Sequence, residues 1–437
     1  MANVQVSKYQ DFQDKKILVV DDFPEFRTAI KRMVEAFGAT NVDTSSNGED
    51  AIGLIKTKHY DAILCDYNLG DGKDGQQVLE EGKYKGIIKD DQIFILLTAE
   101  NTAEMVMGAL EYEPDGYLVK PFTKEMVHQR LLKTVAKKQE LEDVYKAIQH
   151  DDLGKAIALC DEKINAGGHA VLTCLKIKGK LQLRLGKYED AFKLYDEFLG
   201  TKKLPWVLMG RGQCNYFFKK YDKALEDFEA IVALSDVNVE GYDWIAKAKL
   251  AMNDAVGAQE ILENAARLSP KAILRQQLLG DVAFKNKNIE VAEKAYRWAV
   301  QLGRHSCYRR VLDYINYADV LIIKSKSDEH GRVSLKAGND AVTVLENLAN
   351  IYGNDRIVQA QANIMLVFAN QTINKNDKAK LVAKKALSYV EKDHVKLEKP
   401  WLIKLGEALI SVDEKEKGQE LIDNNSSDGD KSQPDVT

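Results

Sequence analysis

The chain lacks several features that would place it quickly in a class of proteins. Its 437 residues include seven prolines, and its five cysteines form no CxxC pair, which argues against a disulfide framework and a zinc site. A net charge of −5 gives no basic balance of the kind that suggests nucleic-acid binding. No apolar run approaches the roughly 18 to 20 residues that a spanning helix needs, and the N-terminus has no apolar core of signal-peptide length. We therefore expect a cytoplasmic protein of two or three domains that neither binds nucleic acid nor inserts into a membrane.

The N-terminal third does contain short apolar runs that end on polar groups. KILVVDD ends on Asp21 and Asp22, DAILCDY contains Asp66, IFILLTAE contains Thr98, and DGYLVKPF contains Lys120. Runs of this length, separated by amphipathic stretches, predict buried parallel strands that alternate with helices. In a doubly wound sheet the carboxyl ends of the strands face the crevice where ligands bind. Three carboxylates, a hydroxyl and an ammonium are thus predicted to meet there.

These groups suit the formation of an acyl phosphate. Three carboxylates in one crevice repel each other unless a divalent cation intervenes, and Mg²⁺ prefers oxygen ligands. We therefore predict that Asp66 attacks phosphorus and that Asp21 and Asp22 hold Mg²⁺. Lys120 and Thr98 would stabilise charge on the transferred phosphoryl oxygens. Taken singly, each residue has a structural alternative, because Asp21, Asp22 or Thr98 could cap a helix and Lys120 could be an ordinary loop residue.

The segment from about residue 15 to 137 resembles the receiver domain of two-component response regulators. The resemblance rests on the acidic pair, on Asp66, and on the Thr98-Ala99 and Lys120-Pro121 pairs. It implies a flavodoxin-like fold of five parallel strands and five helices, and Mg²⁺-dependent transfer of a phosphoryl group to Asp66 from a sensor histidine kinase or a phosphotransfer protein. It also implies that the backbone carbonyl of Asn68 is a metal ligand and that Thr98 and Tyr117 form a conformational switch.

The loop after Asp66 departs from the receiver pattern. Gly70 stands where receivers usually carry proline, and Gly75 falls one position later than the family's glycine. We expect a longer, glycine-rich loop in which Gly70, Gly72 and Gly75 can adopt positive φ. The change leaves the predicted ligands in place, because the missing proline would contribute none.

From about residue 139 the pattern becomes helical and repetitive. Five alanines at matching positions are separated by 35, 33, 34 and 34 residues: Ala156, Ala191, Ala224, Ala258 and Ala292. This spacing is typical of helix–turn–helix units that stack into a solenoid, and the sequence resembles tetratricopeptide (TPR) repeats. The predicted organisation is an extension over 1–14, a receiver over 15–137, TPR-like repeats over 138–304, irregular repeats over 305–423 with a longer loop at 324–334, and a disordered tail over 424–437. A stretch without glycine or proline from 123 to 149 predicts one long helix, or two in near-continuity, at the joint.

The TPR resemblance also indicates a concave surface for a protein or peptide partner. Its expected members are Lys176, Lys180, Arg184, Trp206, Met209, Gln213 and Tyr216, together with Asp243 and Lys247. For the aromatic members, packing in the core is an equally good interpretation.

We find no catalytic constellation after residue 137, so the leading hypothesis is a non-enzymatic response regulator whose Asp66 phosphorylation controls protein binding by the repeats. One alternative is a phosphoryl sink or modulator of a histidine kinase. Another is a constitutive TPR scaffold in which the receiver only docks. Intact acceptor chemistry argues against this last hypothesis.

Overall fold

The computed structural model describes residues 12–99, 111–200, 203–327 and 332–426. The chain divides into two compact units. The first consists of Met1–Arg275 and Arg304–Tyr308, and the second of Gln276–Gly303 and Arg309–Thr437. Among the described residues, no helix is both long and apolar enough to cross a membrane.

A five-stranded parallel sheet forms the centre of the N-terminal region. Its strands are β1 (Lys16–Val20), β2 (Asn41–Ser45), β3 (Ala62–Asp66), β4 (Ile93–Thr98) and β5 (Gly116–Val119). They lie in the order β2-β1-β3-β4-β5, and all neighbours run parallel. The strand order therefore reverses between β1 and β3, where a doubly wound sheet opens a crevice at its carboxyl edge. The predicted α/β fold class is confirmed.

Helices cover both faces of this sheet. They are α1 (Pro24–Glu35), α2 (Gly48–Thr57), α3 (Gly75–Tyr84) and α4 (Lys124–Glu140). Leu18 and Val20 of β1 belong to one apolar cluster, whereas Ile17 and Val19 belong to another. Since successive strand residues point to opposite faces, both faces of the sheet are buried. The further helix expected between β4 and β5 lies outside the described residues.

The joint between the sheet region and the repeats is made by two helices. Thr123 caps α4 by accepting a hydrogen bond from the Met126 amide at 3.3 Å. The helix ends at Glu140, Leu141 leaves the helical conformation with φ −114° and ψ 15°, and α5 (Glu142–Gln149) follows at once. Of the two predicted forms, the joint takes the one with two helices in near-continuity.

The remaining described elements are helical. In the first unit, α6 (Leu153–Ala166), α7 (Val171–Arg184), α8 (Tyr188–Leu199), α9 (Pro205–Phe217), α10 (Tyr221–Leu234), α11 (Val239–Ala251) and α12 (Ala255–Leu268) follow each other, and α13 (Ile273–Lys285) begins there. The second unit continues with α14 (Ile289–Leu302), α15 (Val311–Ser327), α16 (Arg332–Ile351), α17 (Arg356–Thr372), α18 (Asn376–Glu391), α19 (Lys399–Ile410) and α20 (Lys415–Ser426). An all-helical region after the sheet is therefore confirmed.

A left-handed residue recurs between paired helices. It stands five positions before each of the five repeating alanines, at Asp151, Gly186, Lys219, Asn253 and Lys287, with φ between 56° and 69°. The same device occurs at Asn374 (φ 58°) and Asp413 (φ 71°), five positions before Ala379 and Gly418. A left-handed residue at this point ends one helix and turns the chain towards the next. The same turn therefore recurs inside the region that was expected to hold irregular repeats.

Small residues bring the paired helices together. A β-carbon on Gly179 would lie 2.3 Å from the Tyr195 hydroxyl, and one on Gly212 would lie 2.5 Å from the Phe228 ring. In each pair the small residue precedes the aromatic one by 16 positions. Such close approach explains why a glycine stands opposite an aromatic ring in both of these helix pairs.

Two boundary predictions need correction. The loop expected over 324–334 is helical at 324–327 and again at 332–334. Ser325 and Ser334 join these ends, because each hydroxyl donates to the other residue's carbonyl oxygen, at 2.8 and 2.5 Å. Residues 424–426, which were expected to begin the disordered tail, are the last three residues of α20. The rest of the expected tail lies outside the described residues.

Candidate functional site

The carboxyl ends of the strands bring together the charged residues predicted from the sequence. Asp21 follows β1, Asp66 ends β3 and Lys120 follows β5. The Lys120 ammonium lies 2.8 Å from Asp21 Oδ2 and 2.9 Å from Asp66 Oδ1. It is 10% exposed, so this bridge is largely shielded from water. One cation thus links the carboxylates at the two strands between which the sheet order reverses.

Asp21, Asp22 and Asp66 offer oxygens that all lie within 4.8 Å of one another. Asp21 is already engaged on both oxygens, with the Phe23 amide at 2.9 Å and with Lys120. Asp22 differs, because its buried Oδ1 has no hydrogen-bond partner in the described part of the chain. An unpaired buried carboxylate oxygen is costly unless a cation neutralises it. This donor set fits Mg²⁺, which binds through one or two carboxylates and completes its shell with water and phosphate oxygens.

The electrostatics of the crevice favour a bound cation. The pKa of Asp66 is raised to about 6, chiefly by burial and also by the neighbouring Asp21 and Asp22, although the bond from Lys120 lowers it. Burial disfavours the charged form of Lys120, but its bonds to Asp21 and Asp66 outweigh that effect and raise its pKa. A cation bound beside Asp66 would lower this pKa and favour the ionised, nucleophilic form.

The other predicted members lie around this cluster. Thr98 ends β4 and is buried, and its carbonyl accepts a hydrogen bond from the Lys120 amide at 2.6 Å. Tyr117 is half-buried on β5, opposite Leu96. Asn68 is exposed in the loop after β3. The roles of Thr98 and Tyr117 as a switch, and of the Asn68 carbonyl as a metal ligand, stay predictions.

The loop after Asp66 uses its glycines in two ways. Gly70 and Gly72 have φ of 69° and 102°, as expected. The same expectation is wrong for Gly75, which is the first residue of α3 and has no positive φ. A β-carbon on Gly75 would lie 2.1 Å from the Asp66 carbonyl oxygen. Glycine is therefore required there because the helix starts directly against the acceptor strand.

A second set of charged residues joins the sheet region to the repeats within the first unit. Arg275 is 1% exposed and pairs with Asp243 through two bonds, Nε to Oδ1 at 2.8 Å and Nη2 to Oδ2 at 2.7 Å. The same guanidinium also bonds Glu111, which stands shortly before β5, and the Ser269 hydroxyl donates to Glu111 Oε2 at 2.8 Å. A buried arginine paired with two carboxylates is a strong, geometrically specific contact.

Glu113 extends this contact to the predicted partner surface. Its carboxylate lies 3.2 Å from the Lys176 ammonium and 2.8 Å from that of Lys180. Two residues expected to bind an external partner therefore bind a carboxylate of the same chain.

The other expected members of the partner surface have different environments. Met209 is 8% exposed and belongs to an apolar cluster, which favours the core interpretation. Tyr216 packs against Trp244, with ring centroids 5.5 Å apart, and Trp206 packs 5.5 Å from Phe198. Arg184 pairs with Asp151, Gln213 is half-buried, and Lys247 lies over the Trp244 ring.

Helix α3 makes a further contact with the segment Arg304–Tyr308 inside the first unit. The rings of Tyr84 and Tyr308 meet edge-on with centroids 5.0 Å apart. Glu80 is 4% exposed and accepts hydrogen bonds from the Tyr112 hydroxyl at 3.2 Å and the Ser306 hydroxyl at 3.3 Å. Burial raises the pKa of Glu80 to about 7, although both hydrogen bonds lower it.

Comparison with known proteins agrees with this geometry. Residues 17–132 match the response regulator receiver domain family. The chain is 30% identical over 123 residues to chemotaxis protein CheY-3 of Vibrio cholerae, a match that covers 27% of this chain and 90% of that protein. It is 29% identical over 118 residues to chemotaxis protein CheY of Pseudomonas aeruginosa, covering 27% and 94%. A solved CheY-like receiver domain protein from Methanospirillum hungatei shares 21% identity, with a TM-score of 0.27, and the match covers 29% of this chain and 97% of that one. The chain therefore belongs to the response regulator receiver family, and its sheet region is the receiver domain.

Sequence patterns did not point to Glu111, Glu113 or Arg275. Glu111 and Arg275 are 164 positions apart, and no motif connects them. The nearest signal is local, since EYEPD places three carboxylates directly before a predicted strand. That cluster indicates an exposed acidic turn but does not identify its basic partners.

Proposed function

We propose that this protein is a response regulator of a phosphorelay in which phosphorylation of Asp66 controls what the TPR-like repeats bind. The observation that best supports the phosphoryl-accepting part is the cluster of Asp21, Asp22 and Asp66, in which Lys120 bridges two carboxylates and one oxygen of Asp22 has no partner among the described residues. A histidine kinase or a phosphotransfer protein would supply the phosphoryl group.

In the proposed transfer, an Asp66 carboxylate oxygen forms a bond to phosphorus while the phosphorus–nitrogen bond of the donor phosphohistidine breaks and the imidazole leaves. Asp22, Asp66 and the Asn68 carbonyl would hold Mg²⁺ with support from Asp21, and the bound ion supplies positive charge to the phosphoryl oxygens. Lys120 lies close enough to exchange its bond to Asp66 for one to the phosphoryl group. Thr98 would donate its hydroxyl to the same group.

The output part of the proposal is supported by the contacts between the receiver and the repeats. In the unphosphorylated chain, Glu113 engages Lys176 and Lys180, and Glu111 engages Arg275. Both carboxylates lie on the short segment that leads into β5, the strand that carries Tyr117 and ends next to Lys120. A rearrangement of that strand when Lys120 changes partners would strain these contacts. Phosphorylation would thereby free the repeat surface for another protein.

The test of acceptance is phosphorylation of the full chain with Mg²⁺ and a small-molecule phosphodonor or a kinase. We expect one base-labile phosphoryl group in the wild type and none in Asp66→Ala. Asp71→Ala, which removes an exposed carboxylate in the same loop, is the matched control and should be phosphorylated normally. Full phosphorylation of Asp66→Ala would contradict the assignment of the acceptor.

The test of output is capture of proteins from the source cell by wild type and Asp66→Ala, each with and without phosphodonor. Partners retained only by the phosphorylated wild type support control of the repeats. If capture never depends on phosphorylation although Asp66 is modified, the phosphoryl-sink hypothesis becomes the better account.

A further inference from the structure

A cavity of about 700 Å³ lies between the receiver and the first repeats, inside the first compact unit. Its walls include one side of α4 and one side of α7. Nine lysine and arginine side chains line it, against three carboxylates. The cavity therefore carries an excess of six positive charges, although the whole chain has a net charge of −5.

The basic residues follow the helical period on both walls. Arg130, Lys133 and Lys137 are spaced three and four residues apart on α4, so they share one face of that helix. Lys176, Lys180 and Arg184 are spaced four apart on α7 and share a face there. Like charges at these spacings destabilise a helix slightly, and two positive faces across one cavity also repel each other.

The carboxylates of the cavity do not balance this charge. Asp115 pairs with Lys138 at 2.8 Å, and Glu113 is shared by Lys176 and Lys180. Arg130, Lys133 and Lys137 have no carboxylate partner within the part of the chain that the structure describes. Three neighbouring cations on α4 are therefore available to an anion.

A second cavity in the first repeats shows that this charge is not a general property of such grooves. It has a volume of about 730 Å³ and is lined by Lys178, Lys187 and Lys193 together with Asp161, Asp190 and Glu197. Its charges balance, and Lys178 pairs with Asp161 at 2.5 Å. The first unit thus has one charge-balanced cavity within the repeats and one strongly basic cavity of similar size between the receiver and the repeats.

We propose that the basic cavity binds a small anion that carries at least two phosphate groups. Its volume falls in the range of roughly 300 to 1,000 Å³ that is typical of small-molecule sites. Arginine and lysine are the side chains that proteins use for phosphate groups. The bound anion would neutralise the facing surfaces of α4 and α7 and so hold the receiver against the repeats. The site is separate from Asp66 and does not require its phosphorylation.

The test is calorimetric titration of the full chain with inorganic tripolyphosphate and, separately, with ATP, in Mg²⁺-free buffer at low ionic strength. We expect saturable binding by the wild type and at least about tenfold weaker binding by Lys133→Ala/Lys137→Ala. Both lysines are exposed, so this variant should fold normally. Lys187→Ala/Lys193→Ala, which removes two lysines from the neutral cavity, should bind like the wild type, and so should Asp66→Ala.

The two probes distinguish the source of the phosphate groups. Equal affinities would show that the phosphate chain alone is recognised, whereas tighter binding of ATP would show that a nucleotide is recognised. The proposal is overturned if tripolyphosphate gives no saturable binding at millimolar concentration, if the neutral-cavity variant loses as much affinity as the basic-cavity variant, or if sulfate at equal ionic strength competes as well as tripolyphosphate.

Discussion

Replacing Arg275 by methionine should loosen the receiver from the repeats. The substitution keeps an apolar stem of similar length but removes the guanidinium that pairs with Asp243 and Glu111. Because Arg275 is 1% exposed, the two carboxylates would then face each other in a partly buried setting, with side chains 25% and 18% exposed.

The free-energy cost of each substitution depends on which charged groups it leaves without a partner. Breaking a buried ion pair by removing one partner costs about 3 to 5 kcal/mol. Since both carboxylates keep some contact with water, we expect about 2 to 4 kcal/mol for Arg275→Met. Glu111→Gln leaves Arg275 paired with Asp243 and bonded to the Ser269 carbonyl, so its cost should be about 1 to 2 kcal/mol.

Hydrogen exchange of the amides at 111–119 in the full chain measures this local opening. The expected loss for Arg275→Met corresponds to exchange that is faster by about 30- to 700-fold. Arg184→Met is the matched control, because Arg184 and its partner Asp151 are 58% and 78% exposed, and it should cost less than about 0.5 kcal/mol. Exchange in Arg275→Met no faster than in Arg184→Met, or a cost for Glu111→Gln equal to that for Arg275→Met, would show that the Arg275 guanidinium does not hold the receiver against the repeats.

Three further predictions concern the site, pH and the repeats. Lys120→Ala leaves Asp21 and Asp66 without the cation between them. Mg²⁺ should therefore raise the melting temperature of the variant more than that of the wild type in thermal melts. Equal shifts in melting temperature would count against the proposed metal site. The pKa of Glu80 is raised from 4.5 to about 7 in the folded chain, so the native state binds this proton more tightly than the unfolded state does. The resulting stabilisation is fully present below pH 4.5 and is lost as the pH rises to 7, which lowers the free energy of unfolding by about 3 kcal/mol. Glu80→Gln should remove this slope from denaturation measured across that range, and an unchanged slope would show that another group is responsible. Ala224→Leu overpacks a fully buried helix contact and should cost about 1 to 3 kcal/mol in denaturant unfolding, whereas Ala233→Leu, at an exposed position of the same helix, should cost much less; equal effects would place the repeat register in doubt.

The receiver site could be predicted because its chemistry is tied to local patterns. Each strand is an apolar run, each run stops at a polar residue, and parallel strands place those residues at one edge. Asp21, Asp66 and Lys120 therefore came together as expected. Gly75 does not have the expected positive φ. Glycine is required there because the backbone of Asp66 lies too close for a β-carbon, and the sequence alone does not distinguish this requirement from that of a turn.

The contacts between the receiver and the repeats could not be predicted, for a different reason. Glu111 and Arg275 meet through the packing of many intervening helices, so neither residue has a neighbour in sequence that indicates the other. The positions of the left-handed residues could not be predicted either. Lys219 and Lys287 take a conformation that usually favours glycine, so composition gave no sign of the turns that repeat through the helical region.

In the proposed function, phosphorylation of Asp66 releases the receiver from the repeats. The reactivity of Arg275 towards phenylglyoxal, followed by peptide mass spectrometry, measures this release. Arg275 is buried in the unphosphorylated chain, whereas Arg184 is exposed and provides an internal reference. With beryllofluoride and Mg²⁺, we predict that Arg275 becomes reactive in the wild type and stays protected in Asp66→Ala, while Arg184 reacts equally in both. Continued protection of Arg275 in the beryllofluoride-bound wild type would contradict the claim.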